Sequence, residues 1–204
     1  MTDESLDLSQ LFKPVGGVLA QNQTTLNQAD DYNHNHGDNM VEIFDVISKA
    51  VARKKKEGAS SQLAYASQQL RKKSTSGSAT VYAQGLEEAA AKFQGQPVTR
   101  GNALNLISTL MGASQPQTSG SGDLLGSLLG GAVEQGDGSG IDTADLIQAA
   151  MGYFQATQGG AKPLEALVSA VMAGSRMSGS AHREQSGELV VSTLLQALGK
   201  MGSK

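Results

Sequence analysis

The sequence predicts an all-α protein of about eight helices. Apolar residues recur at steps of three and four along most of the 204-residue chain, which is the spacing of one helix face. The β-branched pair Val190 and Val191 lies inside a longer helical pattern, and no stretch predicts a strand. The polar segments between these patterns are too short to separate two domains. We therefore expect a single domain over residues 1–204.

The first half of the chain contains the clearest helix faces. Two strong faces come first, and they consist of Leu8, Leu11, Phe12, Val15 and Leu19, then Met40, Ile43, Phe44, Ile47 and Val51. Three weaker faces follow, made of Leu63, Ala66 and Leu70, then Val81, Leu86, Ala89, Ala90 and Phe93, then Leu104, Ile107, Leu110 and Met111. Because each set lies on one side of a helix, these residues are the predicted core.

The second half begins with a short apolar segment, "GDLLGSLLGGA", whose glycines weaken a helix. Three further helices close the chain, and their expected starts are a cap at Asp142 or Thr143, a first-turn Pro163, and Gly187. Loops are predicted from the polar, glycine-rich composition near residues 28–39, 112–123, 134–141, 158–162 and 178–187.

Composition excludes several classes of protein. With 16 basic and 19 acidic residues, the net charge of -3 gives no field that attracts nucleic acid. The basic runs at residues 52–58 and 71–74 suit the carboxyl ends of helices instead. Without cysteine, neither a disulfide nor a thiolate metal site is possible. No apolar run reaches the roughly 20 residues of a membrane span, and the acidic N-terminus lacks a signal-peptide pattern, so we expect a cytoplasmic protein.

The segment "YNHNHGDNM", residues 32–40, concentrates polar side chains directly ahead of the second helix. Together with the preceding "LNQADD", it resembles the magnesium-binding turn of the nucleotide-binding L domain of dihydroxyacetone kinases, also found in fatty acid kinases. Gly37, Asn39 and Met40 match the end of that motif, and Leu26 and Asn27 match its start. The resemblance implies an antiparallel helical barrel or bundle with its polar loops at one end.

Later segments follow the order of the same family. "LMGAS" and "SGSGDLLGSLLGG" are similar to its phosphate-contacting loop, and "HREQSGELVV" is similar to the turn before its last helix. A helix start with free N–H groups suits phosphate in any family. The resemblance implies that ADP or ATP with magnesium is held by Gly37, Asn39, Met40, Gly112, Ser114, Ser121, Gly122 and Gly187. It also implies a separate substrate-binding kinase subunit as partner.

The predicted metal-binding residues are Asn33, Asn35, His36 and Asp38. Two of them, Asn33 and Asn35, stand where the family has aspartates. Magnesium prefers anionic oxygen ligands, so the two amides weaken the metal cage and with it phosphoryl transfer. Two alternatives remain, in which Asp30, Asp31 or Asp38 supplies the missing charge, or His34 and His36 bind a softer ion such as zinc or nickel. The third histidine, His182, lies far along the chain. The resemblance implies that it comes near the same end of the barrel, but we expect it to be an exposed loop residue.

Three functions are compatible with this pattern. The first is an active phosphotransferase subunit. The second is a domain with a degenerate magnesium site and little or no catalysis, which binds a nucleotide, another ligand or a protein partner. The third is a helical structural protein. The sequence offers no nucleophile with its base and no paired carboxylates. We therefore expect the second function, with no catalytic residues.

Overall fold

The computed structural model describes residues 5–112, 165, 167–168, 171–172, 175–177 and 179–201. Within these residues the secondary structure is helical and contains no strand. Six helices have defined bounds: α1 (Leu8–Gln28), α2 (His36–Arg53), α3 (Ala59–Lys73), α4 (Gly77–Lys92), α5 (Ala103–Leu110) and α6 (Ala181–Met201). The predicted all-α class is confirmed for this part of the chain.

The core is formed by the apolar faces that the spacing predicts. Phe12, Leu19 and Ile43 are among the fully buried side chains of α1 and α2. Phe44 on α2 contacts Tyr82 on α4 edge to face, with ring centroids 5.1 Å apart. Of the predicted core residues, Val81 and Leu104 are only partly buried. These helices are thus held by burial of a shared apolar interior.

Consecutive helices pack against each other, and the last described helix returns to the first. Helix α1 contacts α2 and α6, α2 contacts α3, and α3 and α5 both contact α4. Glycines permit two of the closest approaches. A Cβ atom on Gly37 would lie 2.1 Å from the Gln23 carbonyl oxygen, and one on Gly85 would lie 2.3 Å from the Leu110 carbonyl oxygen.

Two predicted loop boundaries are wrong. The loop near residues 28–39 is confined to 29–35, because the buried residues His36 and Gly37 already belong to α2. Helix α6 begins at Ala181 rather than at Gly187, so residues 181–187 of the predicted loop at 178–187 are helical. In both cases polar composition suggested a loop, although these residues are the first turns of helices that pack on the core.

Side-chain caps define two helix starts. Asp7 accepts a hydrogen bond from the Ser9 backbone N–H at 2.9 Å and forms an ion pair with Lys55 at 2.7 Å. Burial opposes ionisation, but Lys55 and Ser9 outweigh it and hold the pKa of Asp7 below its ordinary value. Ser76 accepts from the Ala79 N–H at the start of α4. None of the helices in the described ranges is long and apolar enough to cross a membrane.

Candidate functional site

Three helix starts converge on one polar cavity of about 220 Å³. These are the starts of α2, α4 and α6. The cavity is lined by Asp30, Tyr32, Asn33, Asn35, His36, Asn39, Gly77, Ser78, His182 and Arg183. The N–H groups in the first turn of a helix have no partner within that helix, and the helix dipole makes this end positive. Asn27 and Ser76 already accept from several of these N–H groups, so the three ends favour an anion in the cavity mainly through the positive ends of their dipoles.

The turn between α1 and α2 is organised by Asp30. Its side chain is buried, with 4% exposed, and its two oxygens accept from the backbone N–H groups of Tyr32 at 3.2 Å and Asn35 at 3.3 Å. Burial raises the pKa of this carboxyl, but the two N–H groups and the charge of His182 outweigh it and give a net lowering. Asp30 is therefore an ionised group whose oxygens already hold the backbone of the turn.

His36 lies at the first position of α2 and is buried, with 4% exposed. Its Nε2 lies 2.9 Å from the Ser186 hydroxyl, which donates to the Arg183 carbonyl oxygen at 3.0 Å. The Ser186 hydroxyl thus links the His36 ring to the first turn of α6. Burial, with the nearby charges of His182 and Arg183, lowers the pKa of His36 to about 4. The imidazole is neutral at pH 7.

His182 is not an exposed loop residue, as the sequence suggested. It lies in the first turn of α6 and is half-buried. Its ring packs edge to face on His36, with centroids 4.7 Å apart. The packing of α6 against α2 explains the difference, since it brings together two histidines that are far apart in sequence.

Arg183 supplies a fixed positive charge to the cavity. Its guanidinium lies against the backbone of α4, where a Cβ on Gly77 would be 2.8 Å from Nη2. Among the described residues it forms no ion pair with a carboxylate, in contrast to Arg71 and Arg176, which pair with Glu87 and Glu88. A half-buried guanidinium with free donors is a good partner for phosphate or carboxylate oxygens.

The start of α2 is capped from α1. The Asn27 side-chain oxygen accepts from the N–H groups of Gly37 at 2.6 Å and Asp38 at 3.2 Å. The Asp38 carboxylate in turn accepts from the side chains of Asn27 and Gln23. These neutral donors, Asn27 first, lower the pKa of Asp38. Its interactions are therefore with α1, and it does not line the cavity.

The predicted metal-binding residues are only partly brought together. Asn33, Asn35 and His36 line the cavity, whereas Asp38 does not. Within the described ranges no group of three His, Asp or Glu side chains is arranged to hold a metal ion. His34 has a left-handed backbone, with φ of 56°, and its exposed ring lies 3.4 Å from the Asn27 carbonyl oxygen. The two histidines of His34-x-His36 therefore occupy different surroundings.

The predicted nucleotide-binding residues also divide into separate groups. Asn39 lines the cavity and donates to the Asn35 side-chain oxygen at 2.8 Å. Met40 is fully buried in the core, and Gly37 lies at the contact of α1 with α2. Two others lie close to side chains from the second half of the chain. A Cβ atom on Gly187 would lie 2.6 Å from Met172, and one on Gly112 would lie 2.7 Å from Arg176. Ser114, Ser121 and Gly122 lie outside the described residues.

Sequence reasoning missed Arg183 and the Gly77-Ser78 start of α4 as cavity residues, and it missed Ser186 as the partner of His36. A partial signal existed for the two cavity features. Ser76 ahead of a helical pattern is a typical cap, and Arg183 stands next to His182 in a polar segment before an apolar run. Neither signal indicates which residues meet across the fold.

No family model, curated protein or solved structure matches this chain. The candidate site therefore stands on its own geometry.

Proposed function

We propose that this chain is a non-catalytic binding domain that holds the phosphate end of a nucleotide such as ADP or ATP. The ligand's phosphate lies in the cavity between the starts of α2, α4 and α6. The single observation that carries the proposal is the Arg183 guanidinium, which pairs with no described carboxylate and faces a cavity lined by three helix starts. Arginine is a donor that proteins use for phosphate, and the positive ends of helix dipoles favour the same anion.

The size of the cavity limits what it can enclose. Its volume of about 220 Å³ is below the roughly 300–1,000 Å³ of pockets that surround a whole drug-sized ligand. A phosphate or diphosphate fits this space, and the base and ribose extend away from it. Asn33, Asn35 and Asn39 offer neutral amide groups to the same ligand.

Weak dependence on magnesium is part of the proposal. Asp30 is the one carboxylate among the described residues of the cavity and already accepts two backbone hydrogen bonds, and Asp38 interacts with α1. Magnesium is normally held by carboxylates together with phosphate oxygens, so these surroundings favour direct contact between protein and phosphate. Without a metal cage the domain lacks the main means of phosphoryl transfer.

The barrel architecture belongs to the same proposal. The L domain of dihydroxyacetone kinases implies an antiparallel barrel of about eight helices, and the contact of α6 with α1 supports a closed arrangement of that kind.

Calorimetric titration with ADP, in EDTA and then in magnesium, tests the proposal. We expect binding in EDTA and a similar affinity in magnesium. The Arg183→Gln variant should bind about tenfold or more weakly, since a charge-assisted hydrogen bond contributes about 1.5–3 kcal/mol. Arg53→Gln is the matched control, because Arg53 lies on the groove between α2 and α3 and not at the cavity.

Three outcomes would contradict the proposal. Absence of ADP binding under both conditions would remove the nucleotide function. Tight binding that requires magnesium would instead favour a kinase-type metal site, and equal weakening by both arginine variants would place the phosphate elsewhere.

A further inference from the structure

A second, separate groove lies between α2 and α3. Two helical stripes line it, one with Val46, Lys49, Ala50 and Arg53 from α2, the other with Tyr65, Gln69 and Lys73 from α3, and Ala52 completes the lining. Its volume is about 380 Å³. The positions within each stripe are three or four residues apart, so each stripe follows one face of its helix. The groove therefore runs between two helices rather than into the core.

The lining of this groove combines an apolar floor with positive charge. Val46 and Ala50 are buried at its base, and Tyr65 is half-buried. Lys54 lies 5.3 Å from the centre of the Tyr65 ring, a distance at which a cation is attracted to an aromatic face. Lys49, Arg53 and Lys73 are the charged residues of the lining, which includes no carboxylate.

These cations are available to a partner. Lys49 pairs with Asp45 at 2.8 Å, but the two side chains are 70% and 51% exposed. Exposed pairs of this kind contribute little, so a carboxylate from a partner can replace Asp45. Arg53 and Lys73 are exposed and form no ion pair with a described carboxylate.

We propose that this groove binds an amphipathic helix of a partner protein that carries acidic side chains beside its apolar face. Apolar residues of the partner would contact Val46, Ala50 and Tyr65, and its carboxylates would pair with Lys49, Arg53 and Lys73. Such an arrangement is a known mode of peptide recognition. Complementary charges at the edge of a contact raise the association rate and fix the orientation of the partner.

The chemistry of the groove favours a protein over other polyanions. Its apolar floor would remain unused by a nucleic acid backbone, and the net charge of -3 opposes general attraction to nucleic acid. Binding to a lipid surface needs a large exposed apolar side chain. Among the described residues that side chain is Tyr32, which lies at the cavity and not at this groove.

A fluorescent synthetic peptide tests the proposal. The peptide has leucine at helical spacing on one face and glutamate on both flanks, and its binding is followed by anisotropy. We expect the double variant Arg53→Glu/Lys73→Glu to weaken binding at least tenfold. The double variant Lys56→Glu/Lys72→Glu is the matched control, because it changes the charge equally at exposed sites outside the lining. It should weaken binding less than about threefold.

The results distinguish a protein partner from a nucleic acid or an anionic membrane. Backbone amide shifts on addition of the peptide should be concentrated in α2 and α3. No binding of the glutamate peptide, equal loss in both double variants, or equally strong binding of a lysine version of the peptide would overturn the proposal. Tighter binding of single-stranded polynucleotide or phosphatidylserine vesicles, lost in the groove variant, would also overturn it. These experiments do not involve Arg183 or ADP, so they are independent of the proposed nucleotide site.

Discussion

The glycines of α1 and α2 have different surroundings at the residue scale. Gly37 lies where α2 crosses α1, and a Cβ there would be 2.1 Å from the Gln23 carbonyl oxygen. Gly17 lies in α1 with nothing within 4 Å of the position of a Cβ. The same residue type is thus required at one position for packing, and at the other it only lowers helix propensity.

We therefore predict opposite effects of two alanine substitutions. Gly37→Ala should lower the free energy of unfolding by about 1–3 kcal/mol, because the added methyl group meets backbone that must move. Gly17→Ala should raise it by up to about 1 kcal/mol. Urea denaturation of both variants checks this, and a neutral result for Gly37→Ala would show that α1 and α2 separate without cost.

A second prediction at this scale concerns pH. The pKa of His36 is about 4 in the folded protein and about 6.5 in an unfolded chain. Between these values the unfolded state binds more protons, so the stability that is present above pH 6.5 is lost as the pH falls to about 4. The loss is roughly 3 kcal/mol. The groups that face His36 are Asp30 on the turn and His182 and Arg183 on α6.

Urea midpoints measured at several pH values test this prediction. The wild-type midpoint should fall between pH 6.5 and 4, and His36→Gln should remove most of that fall. His34→Gln is the control, because His34 is exposed and its variant should keep the wild-type pH dependence. A fall that is unchanged in His36→Gln would assign the effect to other groups.

At the scale of elements, the junction of α1 and α2 depends on a cap that comes from a neighbouring helix. Asn35 precedes α2, and its side chain accepts from the Asn39 side chain but caps no backbone N–H group of the first turn. Asn27 provides the cap instead, through two N–H groups of α2. The cap therefore ties two helices together as well as satisfying donors.

Replacement of Asn27 should show this double role. We predict that Asn27→Ala lowers the free energy of unfolding by about 1–2 kcal/mol, as loss of a helix cap does. Asn22→Ala is the control, because the Asn22 side chain bonds only to the Val18 carbonyl oxygen of its own helix. Its effect should stay within about 0.5 kcal/mol, measured by the same denaturation. If Asn27→Ala loses no more stability than Asn22→Ala, the proposed role of Asn27 as a cap is wrong.

At the scale of the whole molecule, one apolar core joins helices from both halves of the chain. Phe44 of α2 packs on Tyr82 of α4, whose hydroxyl lies 3.9 Å from the Met111 sulfur after α5. Burial raises the pKa of the Tyr82 phenol. Because sulfur is a weak acceptor, the ring of Tyr82 contributes much more than its hydroxyl.

This packing gives a prediction that separates ring from hydroxyl. Phe44→Ala should cost about 3–5 kcal/mol, since it removes a fully buried ring. Tyr82→Phe should change stability by less than about 1 kcal/mol. Thermal unfolding measures both, and a large loss in Tyr82→Phe would mean that its hydroxyl contact with Met111 is stronger than the geometry indicates.

Much of the described fold could be predicted from the sequence, and the site could be predicted only in part. The apolar spacing located α1 to α5 and most of their buried residues, because a helix face can be recognised from neighbouring positions. The polar turn before α2 was predicted to hold binding residues, and Asn33, Asn35, His36 and Asn39 line the cavity. The sequence did not predict which side chains of this turn point into the cavity and which point away from it.

The sequence by itself determined the helical class of the described residues, most of their buried apolar faces and the absence of thiol chemistry. These properties depend on local spacing and on residue type. Only the tertiary structure placed His36 against Ser186 and His182 and turned His34 away from it. It also brought Arg183 to the start of α4. The physical reason is that such contacts join residues more than a hundred positions apart, and they depend on how whole helices pack.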